Sequence, residues 1–302
     1  MKYNKSLLSL STCLLLFFTC CSNDKLVDDS SVEIPEGMVL IPAQIHDKQE
    51  VLPAFFMDAT EITNADFQKF VEATGYVTVA ERPVDWELLA KELPPGTPKW
   101  ADSLLAAGAL VFTPTDQPVP LHDFSQWWTW TVGASWKHPQ GPESSIDDIM
   151  DHPVVQIAWE DAVEYAKWAE KRLPTQAEWE WAAKGGVENA IYPWEGQNID
   201  DNQPKANYWQ GLFPYQNKET DGFYGTAPVA SFAANGYGLF DMAGNVWEWC
   251  VEWASPGQRL IKGGSFLCND DYCSGYRTDV DMASTPDTGL NHTGFRCVKD
   301  VE

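Results

Sequence analysis

Cys268 and Cys273, five positions apart, are the pair in this 302-residue sequence whose type and spacing point most directly to chemistry. They sit in the stretch Gly263-Gly264-Ser265-Phe266-Leu267-Cys268-Asn269-Asp270-Asp271-Tyr272-Cys273. The spacing does not suit the four-ligand zinc layout, in which close Cys pairs recur as two sets. No second Cys pair or His pair accompanies them. Two chemistries stay open. One is a redox-active dithiol, resting as a disulfide in an oxidising compartment. The other is a two-thiolate site for a soft, thiophilic metal such as Cu(I).

The elements that must position this pair follow from pattern. Met38-Val39-Leu40-Ile41-Pro42 and Ala54-Phe55-Phe56-Met57 read as short strands. Thr63-Asn64-Ala65-Asp66 resembles a capping box that opens a helix with Phe67, Phe70 and Val71 on one face, ended by Gly75. Residues 81–125 are rich in proline and read as a long loop with one short helix near 100–108. Pro153 to Ile157 reads as a strand leading into a helix over about 159–171, broken at Arg172-Leu173-Pro174. Thr175-Gln176-Ala177-Glu178 is a second capping box, and its helix stops at Gly185-Gly186. Beyond residue 187 helical periodicity ends, and small antiparallel strands are expected near 228–232, 246–252, 259–264 and 294–299. Long irregular loops in a compact domain point to a bound metal or a functional groove. The 15 Trp suit a loop-rich interior whose indoles hydrogen-bond locally.

The N-terminus has its own logic. Lys2 and Lys5 precede an apolar run, Leu7 to Thr19, too short to span a bilayer. It ends at Cys20-Cys21-Ser22, which resembles a bacterial lipoprotein signal with diacylation at Cys20, or less readily Cys21; an ordinary secretory signal peptide is the alternative. Residues 1–19 are then a signal peptide, 20–36 the lipidated Cys with a polar, acidic tether, and 37–302 the folded domain. This implies export and lipid anchoring in the bacterial cell envelope. The formal net charge is −24, from 44 Asp+Glu against 20 Lys+Arg. Such a field argues against nucleic acid and anionic lipid as partners, leaving the lipid anchor as the membrane link. It serves either as a solubilising surface or as an attractor for basic peptides and Ca²⁺. Of seven cysteines, Cys250, Cys268, Cys273 and Cys297 fall in the domain, too few for a disulfide scaffold.

Longer motifs narrow the reading. They include Met57-Asp58-Ala59-Thr60-Glu61, Trp136-Lys137-His138-Pro139, Arg172-Leu173-Pro174-Thr175, Gly244-Asn245-Val246-Trp247-Glu248-Trp249 and Gly294-Phe295-Arg296-Cys297. With the Gly-Gly-Ser-Phe-Leu-Cys…Tyr-Cys segment, they resemble the formylglycine-generating enzymes, or sulfatase-modifying factors, from about Met38 to Lys299. The resemblance implies a single α/β (α+β) domain of C-type-lectin-like fold with much irregular structure. It implies an oxidase that uses O₂ and Cu(I) to convert a Cys, within Cys-x-Pro-x-Arg of an unfolded or nascent sulfatase, to Cα-formylglycine. On it, Cys268 and Cys273 ligate copper, Ser265 and Tyr272 line the site, Trp247 flanks the oxygen pocket and Arg277 supports the loop. Two calcium sites carry over: Asn207, the Tyr208 carbonyl, Asp221 and the Phe223 carbonyl; and Asp241, Glu248 and the carbonyls of Gly244 and Val246.

Departures are visible too. Positions bridged by disulfides in secretory relatives read Ala166 with Cys297 and Ala183 with Thr278, so both bridges are absent, and Cys250 is the other thiol without an assigned partner. Asp281 stands where relatives carry Arg, which inverts a charge beside the substrate groove. The competing reading is a non-enzymatic envelope lipoprotein that uses this fold as a binding or scaffold module. An iron-dependent sulfoxide synthase would need a His-rich helical domain, and the five histidines are scattered.

Overall fold

The computed structural model describes residues 33–91, 93–196, 198–199 and 203–301. Cys20, the signal segment and nearly all of the tether lie outside the described residues. The domain over Ile34–Glu302 is a compact unit.

In chain order its elements are β1 (Met38–Ile41), β2 (Gln44–His46), β3 (Gln49–Leu52), β4 (Phe55–Asp58), α1 (Asn64–Thr74), α2 (Trp86–Leu89), β5 (Gly108–Phe112) and β6 (Trp128–Val132). There follow α3 (Trp159–Trp168), α4 (Gln176–Ala183), β7 (Gly211–Leu212), β8 (Gln216–Asn217), β9 (Trp247–Ser255), β10 (Gln258–Lys262), β11 (Met282–Ser284), β12 (Thr293–Gly294) and β13 (Val298–Asp300). They form a three-stranded sheet, β1-β4-β13, a four-stranded sheet, β11-β10-β9-β12, and three two-stranded hairpins or pairs. This is the mixed, largely irregular α/β domain the motifs imply.

The helices form where their caps predict. The Thr63 hydroxyl accepts the Asp66 N–H at 3.1 Å, and Gly75, at φ 68°, returns its N–H to the Val71 carbonyl. Phe67 and Phe70 are buried against Trp136, Tyr165 and Phe295, each contributing roughly 1.5–3 kcal/mol by leaving water. At α4 the Thr175–Glu178 box is reinforced from outside: Arg172 reaches both Glu178 oxygens at 2.6 and 2.7 Å. β4 is buried along its whole length because it is the central strand, flanked by β1 and β13.

Other expectations fail for local reasons. Pro153–Ile157 is no strand: Val154 donates to Ile62, Gln156 donates to Leu290, and Gln156 has φ 60°, so no ladder continues. Residues 228–232 turn at Ala230, φ 61°. The helix near 100–108 is a pair of turns at Ala101–Leu105, followed by β5. β5 was hidden because its partner β6 lies beyond a proline-rich loop. The 294–299 strand is split into β12 and β13, in different sheets. The indoles also depart from expectation. Trp249 and Trp179 bond far along the chain, to the Ile157 carbonyl and to Glu248, whereas the buried N–H groups of Trp127, Trp136 and Trp209 have no partner among the described residues.

Candidate active site

β10 runs out into Gly263 and Gly264, both in the left-handed region at φ 93° and 76°. A β-carbon on Gly264 would overlap the Tyr276 amide, so this turn is reserved for glycine. The chain then folds back on itself. The Ser265 carbonyl accepts from the Cys268 amide at 2.9 Å, and its hydroxyl accepts from Leu267 at 3.3 Å. Asn269 organises the next turn: its carbonyl accepts the Cys273 N–H at 2.7 Å and its side chain accepts the Tyr272 N–H at 2.9 Å. That brings Cys268 and Cys273 to a Cα–Cα distance of 4.7 Å, with their sulfurs joined as a disulfide.

Both cysteines line a cavity of about 150 Å³ that opens to solvent. Trp247, Ser265, Leu267 and Tyr272 share its wall, together with Trp128, Ile261, Leu290 and His292. β11 completes it through Met282, Ala283 and Ser284. Of the four proposed site residues besides the two cysteines, Ser265, Trp247 and Tyr272 are in the wall and Arg277 is not. The Arg277 guanidinium turns to the Asp279 carboxylate, at 2.9 and 3.0 Å. Tyr272 stacks on Phe213, ring centroids 4.2 Å apart, and meets the edge of Trp127. Burial raises its phenol above the usual tyrosine value.

Gly275 explains how Trp247 reaches the sulfurs. A methyl group there would overlap the indole ring and lie 3.1 Å from Cys273 Sγ. The absence of a side chain lets the cysteine loop close over Trp247.

His292 is the residue that pattern reasoning missed. It neighbours no other histidine in sequence, and only the fold sets it beside the cysteines. Its ring lies 4.8 Å from Trp128, and its Nδ1 is 3.3 Å from the Thr293 hydroxyl. Desolvation lowers its pKa from 6.5 to about 3. The ring is thus a neutral polar group in the wall of a largely apolar cavity. Because the folded value lies below the unfolded one, the unfolded chain binds the proton first. The stability linked to this ring is present above about pH 6.5 and lost as pH falls toward 3. Replacing His292 by Asn should flatten that part of the acid-denaturation curve. An unchanged pH dependence of unfolding over this window would refute the assignment.

Residues 20–301 match the model of the sulfatase-modifying factor enzyme 1-like domain. The sequence is 46% identical over 272 residues to the formylglycine-generating enzyme of Mycobacterium tuberculosis, a match covering 82% of this chain and 88% of that one. This protein belongs to the formylglycine-generating enzyme family. Another formylglycine-generating enzyme, from Thermomonospora curvata, is 44% identical over 82% of this chain and 83% of its own. A mouse relative named inactive C-alpha-formylglycine-generating enzyme 2 is 34% identical over 95% and 92%. Family membership therefore leaves activity to be argued from the site. The solved structure of PvdO from Pseudomonas aeruginosa shares the fold, with a TM-score of 0.55 at 19% identity over 87% of this chain and 94% of that one.

Against this family frame the departures have local explanations. Cys250 and Cys297 are both free and buried in separate hydrophobic clusters, so Cys250 does not replace the missing partner. Burial raises both thiols well above the ordinary value, which makes them inert. Asp281 pairs with the fully buried Lys262 at 2.7 Å, and Lys262 also holds Glu180 at 2.9 Å. The inverted charge is matched by a local lysine.

The two calcium ligand sets are assembled differently. In the first, the Tyr208 carbonyl and the Asp221 carboxylate converge on the Gln210 side-chain amide, Asp221 at 2.7 Å. Asp221 also accepts the Phe223 N–H at 3.0 Å, while the Asn207 amide nitrogen donates to Gly225 and Asn245. In the second, both Glu248 oxygens are engaged by Arg296, at 2.7 and 2.8 Å, and by the Trp179 indole at 2.7 Å. Asp241 accepts the Ala230 N–H at 2.7 Å. Glu61, absent from the sequence-based set, lies close enough for mutual repulsion with Asp241. Its Oε1 accepts from Asn245 at 3.1 Å, and its buried Oε2 has no partner among the described residues. Desolvation, then Asp241, raises Glu61 well above the usual carboxylate range, and desolvation raises Asp241 to about 6. Three buried carboxylates thus face one guanidinium.

Proposed function

We propose that this protein is an oxidase that converts a cysteine of an unfolded sulfatase, in a Cys-x-Pro-x-Arg setting, to formylglycine with O₂. The observation that carries the reading is the pairing of Cys268 and Cys273 in the wall of an accessible apolar cavity. A scaffold module has no use for two converging sulfurs in the wall of a cavity. The enzymes to which the chain is similar supply the substrate class.

Reduced to thiolates, the pair fits Cu(I). The donors are soft and converge, and the named lining residues include no carboxylate to favour a hard ion. Cys268 and Cys273 would hold the metal, which when bound would supply O₂ binding and electron transfer. The protein's own groups do the rest. Trp247, Trp128 and Leu267 exclude water from the substrate sulfur. Ser265 and His292 provide neutral polar contacts for the incoming peptide. The balance is a two-electron oxidation. The substrate –CH₂–SH loses two hydrogens to O₂, giving a thioaldehyde and H₂O₂, and water then replaces sulfur to give the aldehyde and H₂S.

Calcium fits the second ligand set best. The orphaned Glu61 Oε2 and Asp241 supply hard oxygens and excess negative charge, with the Gly244 and Val246 carbonyls on the adjoining loop and Glu248 committed to Arg296. The N-terminal pattern supports export and anchoring through Cys20.

The test is conversion of a Cys-x-Pro-x-Arg peptide by copper-loaded protein in air, followed by mass spectrometry for the aldehyde. No conversion with verified copper loading would refute the oxidase reading. Within the same assay, Gly275→Ala is expected to slow conversion at least about tenfold, since a misplaced wall group degrades alignment. It should also destabilise the fold by about 1–3 kcal/mol through overpacking, read by thermal melting. Full activity with an unchanged melt would mean that Trp247 does not need this glycine.

A further inference from the structure

β11 is an edge strand. It pairs with β10 on one side only, through Arg259↔Ser284, Leu260↔Ala283 and Ile261↔Met282. Among the described residues, no backbone hydrogen bond runs outward from its other side. Such edges are usually covered or blunted, because unpaired N–H and C=O groups recruit another strand. This one is exposed, with Met282 41% accessible, and all three of its residues line the cavity that holds Cys268 and Cys273.

The strand is also held in place. Asp281, immediately before it, is clamped by buried Lys262 at 2.7 Å, and Lys262 takes the Val280 carbonyl at 2.9 Å. Gln176 adds contacts to both Asp281 oxygens at 3.0 and 3.1 Å. A strand anchored at its entry and open along its edge is preorganised for pairing. Its three residues are too few to template aggregation, yet enough to register a short extended peptide.

We propose that the free edge of β11 is the docking rail of the substrate, an extended segment of unfolded polypeptide that adds as a further strand and thereby delivers its cysteine to Cys268 and Cys273. The inference rests on the oxidase reading for the identity of that segment. Two arguments favour this occupant. The edge is continuous with the cavity. Main-chain pairing recognises an unfolded chain without reading most of its side chains, which suits a site serving a short motif in a long polymer.

The experiment uses the full-length protein and a fluorescent Cys-x-Pro-x-Arg peptide whose Cys is replaced by Ser, so binding is read without oxidation. Successive peptide amides are N-methylated, one per peptide. Strand addition predicts an alternating profile. Methylation of amides facing β11 should weaken binding by about tenfold, the intervening ones leaving it nearly unchanged. Hydrogen exchange at Met282–Ser284 should slow when the unmethylated peptide binds. A flat profile, a uniform loss at every position, or unchanged exchange at β11 would each overturn the proposal. The two readings fail separately. Binding with the alternating profile but no conversion of the Cys peptide sinks the oxidase and keeps the rail. Conversion with a flat profile sinks the rail alone.

Discussion

Changing Cys268 or Cys273 to Ser is expected to lower kcat/KM for the Cys peptide by at least about a thousandfold, roughly 4 kcal/mol of transition-state stabilisation. A serine hydroxyl is nearly isosteric with the thiol but neither holds a soft metal nor exchanges with a substrate sulfur. Each single variant should lose as much as the double variant, because the two sulfurs act as one unit. The loss should not come from unfolding. The turn around them is held by Asn269 and Ser265 through backbone groups that the substitution does not touch. A short loop also gives a disulfide less entropic leverage than a long one. The check is steady-state kinetics beside a thermal melt and a Cu(I) competition titration with a soft chelator. Retained activity in either variant would remove that sulfur from the mechanism. Retained activity in both would mean that the oxidation does not run through the dithiol.

The dithiol was legible because its spacing is chemically unusual and lies in one contiguous segment. The helices were legible for a similar reason, since Thr63, Gly75, Thr175 and Glu178 are local signals acting within one turn. What stayed hidden depends on contacts between distant segments. β5 pairs with β6 across a proline-rich loop, and β11 earns its place only by pairing with β10. His292 gave no pattern, because its importance comes from the cavity that β9, β10 and β11 build around it. Glu61 is the sharpest case. It follows a strand in a motif that reads as structural, and only the closed fold sets it against Asp241 and Arg296. Asp281 misled in the opposite direction: a reversed sign in sequence is a paired charge in space.

Replacing Arg296 by Met is expected to be the most destabilising single change in the domain, by about 3–5 kcal/mol, a large share of the stability of an ordinary domain. The side chain is fully buried. It makes a two-pronged pair with Glu248 and donates to the carbonyls of Asp58, Ala59 and Phe240. Methionine fills much of the volume but leaves those acceptors unserved. It also removes the cation whose charge opposes the raised pKa of Glu61 and Asp241. The pH dependence fixes the sign. Both acids already have folded pKa values above their unfolded ones, so the folded state binds protons first, and their contribution weakens as pH rises through the window from about 4 to 6 and beyond. Without Arg296 those values climb further. The variant should therefore recover part of its deficit at pH 5 relative to pH 7.5. Chemical denaturation at the two pH values, in chelator so that no cation substitutes for the guanidinium, measures this directly. Adding Glu248→Gln to the Arg296→Met variant should restore a portion of the loss, because a neutral amide no longer needs a buried cation. An equal deficit at both pH values, or no gain from the second change, would mean that Arg296 acts through packing and its carbonyl bonds rather than by balancing the three carboxylates.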